Sequence, residues 1–291
     1  MRSIRCKNQE GLEITFADSV NPFLLEHCEG IYEVKNDIHT SKNTMIDGET
    51  YIGSTMGKRN IILTLRDKET ADHEANRKLL YNLFRAKSPG TFIYSENGEE
   101  KEITYYPESI HEDGELRSRI STVSLICPDP YFYDRDEKTV MLETYIPAFT
   151  FRHNFTELKE EFGYRLANKI ANIKNNYGTD RIGITIEITA AGEVTNPKIT
   201  RVEDGKSIQV GTDAKPFEMI AGDKVIITTG NNNKHIYRER EGIREKISQY
   251  MSNDSAFIQL LRGDNSIAYS ASSGSDSMQV VIRYRLRYEA A

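Results

Sequence analysis

A β-type run from Ser118 to Ile126 ends in Cys127-Pro128-Asp129-Pro130-Tyr131-Phe132-Tyr133-Asp134. Proline has no N–H for a strand ladder and pushes the residue before it toward extended backbone, so this pair of prolines stops the sheet here. Three consecutive rings at such a stop must pack on something, since together they would leave an adhesive patch on the surface. Taken alone, the segment reads as a strand end pinned by proline with a small aromatic cluster.

The residues before it describe an α+β domain. Leu12-Glu13-Ile14-Thr15-Phe16 alternates apolar and polar, as a half-buried strand does. Phe23 and Leu24-Leu25 are expected to enter the core, and Ile31-Tyr32-Glu33-Val34 is a further strand candidate. A polar stretch from Lys35 to Thr50, containing the turn signal Asp47-Gly48, precedes Tyr51 to Arg59; the strand Ile61 to Leu65 then resumes. This pattern predicts a long hairpin or arm that leaves the body and returns. It is either a mobile loop or an exchange element that wraps a neighbouring subunit.

Thr70 to Lys87 reads as a helix. Thr70 is the expected N-cap, Asp72 and Glu74 suit its positive end, and Ser88-Pro89-Gly90 stops it. Its apolar stripe is Ala71, Ala75, Leu79, Leu83 and Ala86, joined by Leu80 and Phe84, and such a stripe is core. Thr91–Tyr94 and Glu102–Tyr106 flank Asn97-Gly98 as a hairpin, and Ser109 to Gly114 gives the next turn. One helix on an antiparallel sheet is the result.

Asp134 to Lys138 is charged and lacks an apolar anchor, which suggests a boundary between domains 1–138 and 139–291. Beyond it, Ile182, Ile184, Ile186 and Ile188 alternate with polar residues. Asn196-Pro197, Asp204-Gly205 and Gly222-Asp223 mark turns, and Gly263-Asp264-Asn265 is expected to turn between Phe257–Leu261 and Ile267–Tyr269. In the last segment, Met278, Val280, Ile282, Tyr284, Leu286 and Tyr288 line one face, with Arg283, Arg285 and Arg287 on a solvated one. Short strands with regular turns predict a β-sandwich. Phe155 to Ile173 fits either a helix or a strand.

With 291 residues, 38% hydrophobic and 28% charged, the chain is expected to be a soluble globular protein with no bilayer-spanning run. Its first residues lack the apolar core of a secretory signal, so the product is expected to be made in the cytoplasm. A net charge of −6 argues against a nucleic-acid partner. Cys6, Cys28 and Cys127 have neither metal-ligand nor disulfide spacing. None of His27, His39, His73, His111, His153 and His235 falls in a ligand motif, and no Gly-x-Ser-x-Gly elbow or phosphate loop is present. Catalytic, cofactor-binding and metal-binding residues are therefore expected to be none, and the chain is read as not an enzyme. A carboxylate pair across a cleft, as a glycosidase needs, is not excluded by sequence. Arg262-Gly263-Asp264 reads as turn chemistry.

Several pieces, in their order, resemble the phage distal tail protein family. They are Lys58-Arg59 with Ile61 to Leu65, the Asn76 to Phe84 helix with Pro89-Gly90, the Cys127 to Tyr133 segment, Asn196-Pro197-Lys198-Ile199, Gly222-Asp223, Arg262-Gly263-Asp264-Asn265 and the Tyr-rich last strand. The resemblance implies a mainly β protein: an α+β N-terminal domain and a galectin-like C-terminal β-sandwich. It also implies a homohexameric ring in which the arm, about residues 35–59, clamps the adjacent subunit. As a hub at the virion tail tip, the ring would join the tail-tube protein to a tail-associated tip protein, with receptor-binding proteins as further partners and no cofactor or membrane. The alternative is a carbohydrate-binding module for host-wall polysaccharide, stacking sugars on Tyr or Phe because the chain has no Trp.

Overall fold

The computed structural model describes residues 3–17, 22–67, 72–113, 119–147, 163–167, 170–179, 181–231 and 233–291. It divides into two compact units, residues 1–135 with 287–291, and residues 136–286. No helix among the described residues is long and apolar enough to cross a membrane.

The first unit contains β1 (Ser3–Asn8), β2 (Glu13–Phe16), β3 (Phe23–Glu29), β4 (Asn36–Ser41), β5 (Thr50–Met56) and β6 (Arg59–Asp67). Helix α1 (His73–Leu83), β7 (Gly90–Glu96), β8 (Glu99–Glu112), β9 (Ile120–Cys127) and β10 (Phe132–Asp134) follow. The sheet runs β2-β1-β7-β8-β9-β6-β3, and every pair in it is antiparallel. Alternate residues of β6 and β9, Ile61, Leu63 and Leu65 with Val123 and Leu125, point into a core closed by Phe16, Phe92, Tyr105 and Phe132. Helix α1 adds Leu80 and Leu83, and Phe84 just beyond it stacks on Phe16 with ring centroids 6.3 Å apart.

Four local expectations change here. The strand is Phe23–Glu29, not Ile31–Val34, because Gly30 turns the backbone to φ +82°. The helix is shorter at both ends: Asp72 caps it by accepting the Ala75 N–H, and it stops at Leu83, ahead of Lys87 at φ +66°. Thr70 and Ala71 lie outside the described residues, and Ala75 and Ala86 are exposed, so the buried stripe is Leu80, Leu83 and Phe84. Ser109 to Glu112 are strand, not turn, since β8 continues past a bulge between Pro107 and Ser109. The bulge accommodates a proline that cannot donate to the ladder, and it redirects β8 from β7 onto β9.

The second unit contains β11 (Lys138–Met141), β12 (Glu143–Pro147), β13 (Gly163–Ala167), β14 (Ile170–Asn175), β15 (Ile184–Ala190), β16 (Val194–Thr195) and β17 (Lys198–Arg201). It continues with β18 (Ser207–Gln209), β19 (Glu218–Met219), β20 (Lys224–Gly230), β21 (Asn233–Arg240), β22 (Ile243–Lys246), β23 (Gly263–Ser270) and β24 (Met278–Tyr284). Two antiparallel sheets dominate, ordered β11-β24-β15-β20-β21-β22 and β14-β23-β17-β18. Each buries alternate side chains, as period-two patterning requires: Ile184, Ile186 and Ile188 in one, Ile199, Ile267 and Tyr269 in the other. Most of the ambiguous stretch from Phe155 to Ile173 lies outside the described residues. What is described of it is extended, as β13 and β14.

The turn residues of this unit also satisfy buried backbone. Asn196, at φ +52°, accepts the Phe217 N–H at 2.9 Å. Asn265 accepts the Leu261 N–H at 2.8 Å and donates to the Leu261 and Gly263 carbonyls. Gly263 to Asn265 therefore open β23 and are not a turn, and Phe257 to Leu261 form no strand.

The chain finally leaves the second unit. β25 (Arg287–Tyr288) pairs with β10 in the first, Phe132 opposite Tyr288 and Tyr133 opposite Arg287. The expected single last strand thus breaks after Tyr284. Arg287, expected on the solvated face, is buried, with its guanidinium 4.0 Å from the Tyr131 ring centre. Arg283 faces outward and bonds Glu187 at 2.8 Å.

Candidate functional site: an exposed hairpin and its root

Strands β4 and β5 pair only with each other, around a turn in which Gly48 takes φ +95°. Every residue of β4 is exposed. The register sets Ile38 opposite Ser54, Asn36 opposite Met56 and, past a bulge, Thr40 opposite Tyr51. Paired residues share a face, so Ile38, Tyr51 and Met56 line one side of the hairpin. Asp37, His39 and Thr55 line the other, with His39 Nε2 3.1 Å from Thr55 Oγ1. Exposure reaches 64% at Ile38, 63% at Tyr51, 67% at Ile46 and 98% at Met45. Apolar side chains displayed together mark a contact surface.

The root of this hairpin is tied down by Arg59. Period two places Arg59 in line with the buried Ile61, Leu63 and Leu65, so its charged head points inward. Its Nε donates to the Pro130 carbonyl at 2.7 Å, and its Nη1 to those of Gly30 at 2.6 Å and Glu33 at 2.8 Å. Nη2 donates to the Glu289 carbonyl, and the guanidinium lies 5.1 Å from the centre of the Phe132 ring. One cation thus joins the hairpin's entry, the proline-rich strand end and the returning tail. Burial lowers its pKa, but a guanidinium stays protonated in proteins, and these charge-assisted bonds replace its hydration. Gly30 completes the root, because a Cβ there would lie 2.0 Å from the Asn60 carbonyl oxygen. Beside it opens a cleft of about 450 Å³ whose wall includes Glu33, Asp37, Met56, Glu108, Ile126 and Pro130.

Sequence reasoning placed Arg59 at the end of the arm and missed this role. The available signal was a charged residue in register with an inward-facing apolar series.

The groups that could carry chemistry are placed otherwise. His73 Nδ1 lies 2.6 Å from Asp67 Oδ2 at the start of α1, and His27 lies 3.3 Å from Glu29 on β3. Burial pushes the Cys127 thiol up to about 12 and Cys6 well above its usual value, so both are protonated at neutral pH and poor nucleophiles. Among the described residues, no three of His, Cys, Asp and Glu are grouped so as to hold a metal.

The fold and the projecting hairpin define a two-unit, mainly β structural protein. Residues 9–127 match the model of a phage tail protein RIFT-related domain, and residues 177–288 match that of a siphovirus-type tail component, C-terminal domain. The crystal structure of the Dit protein of phage SPP1 is similar over 97% of this chain and 99% of its own, with TM-score 0.67 and 12% identity. A chain from the phage P2 baseplate, in its activated conformation with calcium, is similar over the full length of both, with TM-score 0.54 and 9% identity. No curated protein sequence matches the chain. The chain belongs to the siphophage distal tail protein family, whose members are structural proteins of the phage tail.

Proposed function

We propose that this protein is the hub of a distal tail, a homohexameric ring at the tip of the virion. The first unit forms the ring, and the hairpin of each copy clamps the next. One ring face meets the tail-tube protein and the other a tail-associated tip protein. Receptor-binding proteins are further partners. The observation that carries this reading is the hairpin itself, whose side chains Ile38 and Tyr51 stay mostly exposed among the described residues, with Met56 partly buried at the root end of the same face. The related SPP1 protein is described as a hub of an adsorption apparatus, which supports the same role here.

For the carbohydrate-binding alternative, free rings on the second unit are the requirement. Tyr237 and Tyr250 are already covered by the cations of Arg244 at 4.2 Å and Lys215 at 4.5 Å, whereas Tyr177 is 85% exposed and is the ring on which a test of that alternative turns.

Light scattering after gel filtration tests the ring. Six chains of 33.3 kDa give about 200 kDa. Replacing residues 37–55 with a short turn, which spares Arg59, is expected to reduce that mass to one chain. A hexamer that survives the replacement overturns the clamp, and a monomeric full chain at every concentration counts against a ring that forms unaided.

A further inference from the structure

We infer that the returning segment Arg287–Ala291 is a latch that holds the hairpin's root, with Arg59 as its positioning residue, so that the hairpin is presented only after the second unit has been traversed. Three contacts of the segment carry this. Its backbone pairs with β10, through Phe132 opposite Tyr288 and Tyr133 opposite Arg287. The Glu289 carbonyl accepts from Arg59 Nη2, the guanidinium that also holds the Gly30 and Glu33 carbonyls at the hairpin's entry. The Ala291 N–H donates to the Ile31 carbonyl at 3.3 Å, in that same entry segment between β3 and β4. The side chains support the backbone, with Arg287 over the Tyr131 ring at 4.0 Å and Lys101 over the Tyr288 ring at 4.3 Å.

Residues 1–135 contain the whole hairpin, its root and Arg59, yet part of what holds the root arrives 151 residues later, after 136–286. Until then the guanidinium lacks its Glu289 acceptor, and the Ile31 carbonyl keeps only the 3.4 Å contact from Arg59 Nη1. A buried cation short of acceptors is costly, so the root stays open to water and the hairpin is not held in one direction. An assembly arm presented before residues 136–286 have been made would recruit subunits that lack the second unit; the latch defers that. The inference goes beyond the ring reading and holds whether or not the ring forms.

Hydrogen exchange, read by mass spectrometry on the whole chain and on variants, tests it. In a variant lacking residues 287–291, amides of residues 30–36 and 56–60 are expected to exchange about 10- to 100-fold faster, while β1 and β7 in the same unit keep their rates. Arg59→Lys, which keeps the charge but not the fork, is expected to do the same. Glu289→Ala is expected to change nothing, because only the backbone carbonyl of that residue is used. Unchanged root exchange on removing the segment overturns the latch. Equal acceleration in β1 and β7 also overturns it, since the segment would then support the unit generally. The same samples weighed by light scattering report on the ring separately.

Discussion

Two hairpins of the first unit have opposite fates. β7–β8 turns tightly at Asn97 and Gly98, both at positive φ, and β4–β5 turns through the longer loop 42–49, in which Gly48 takes positive φ. In β7–β8, Phe92, Ile93, Tyr94, Ile103 and Tyr105 are all buried by the chain's own core. In β4–β5, Ile38, Tyr51 and Ile52 remain mostly exposed. Turn chemistry therefore makes a hairpin, but burial of its side chains decides to whom the hairpin belongs. An isolated two-stranded ribbon is marginal in water, so β4–β5 depends on its root and on whatever covers its face.

Substitution should separate the two. Phe92→Ala opens a cavity in the core and is expected to cost about 3–5 kcal/mol in urea unfolding. Tyr51→Ala should cost the isolated chain under about 0.5 kcal/mol, yet lower the assembled mass. Equal costs in unfolding would break the comparison. Next in size stands Gly30→Ala, which must adopt φ +82° and clear the Asn60 carbonyl. A loss of about 1–3 kcal/mol is expected, with faster exchange across the root of β4–β5 and not across β7–β8.

What could be read in advance follows the same line. Period-two runs such as Ile184 to Ala190 were legible, because each residue's neighbours across the ladder are also its neighbours in pattern. The Asn97-Gly98 turn was legible because its backbone demand is met within two residues. The Phe23 strand and the end of the last strand were not, because distant partners decide them. Gly30 must turn since β6 passes directly behind it, and the alternation of Met278 to Tyr284 fails beyond Leu286 since β10 takes the chain there. The helix ends before Ala86 because an alanine looks apolar in a pattern but has too little surface to pull a turn inward. Arg59 was misjudged for the opposite reason: its register is plain, but its partners lie on three separate segments.

A third hairpin, β20–β21, shows what self-support adds. Asp223 at its base is buried and holds Arg240 by a fork, 2.7 Å to Nε and 2.5 Å to Nη2, and accepts the Ile220 N–H at 3.0 Å. Burial raises its pKa, but these bonds outweigh it and leave the carboxyl below its ordinary value. A depressed folded pKa contributes stability above the unfolded value, near 3.9, that is lost as pH falls through the folded one. The second unit is thus expected to melt lower at pH 2.5 than at pH 5, and Asp223→Asn to be weaker at pH 5 but less acid-sensitive. An identical pH dependence in the variant would remove Asp223 from that account.

The smallest effect lies within the self-supported hairpin and runs the other way. Tyr105 is fully buried on β8, and its hydroxyl finds no hydrogen-bond partner among the described residues. Burial raises its pKa, so the hydroxyl stays neutral, and what remains is the cost of a polar group taken from water. Tyr105→Phe keeps the ring against Phe84, at 5.8 Å between centroids, and removes that cost. A gain of about 1 kcal/mol in urea unfolding is expected. The same change at Tyr51, whose hydroxyl faces solvent and lies 3.1 Å from Ser54 Oγ, should leave unfolding unaltered. If Tyr105→Phe destabilises, the hydroxyl has an acceptor in solution, and the core around β7–β8 holds a polar contact that its strand pattern does not reveal.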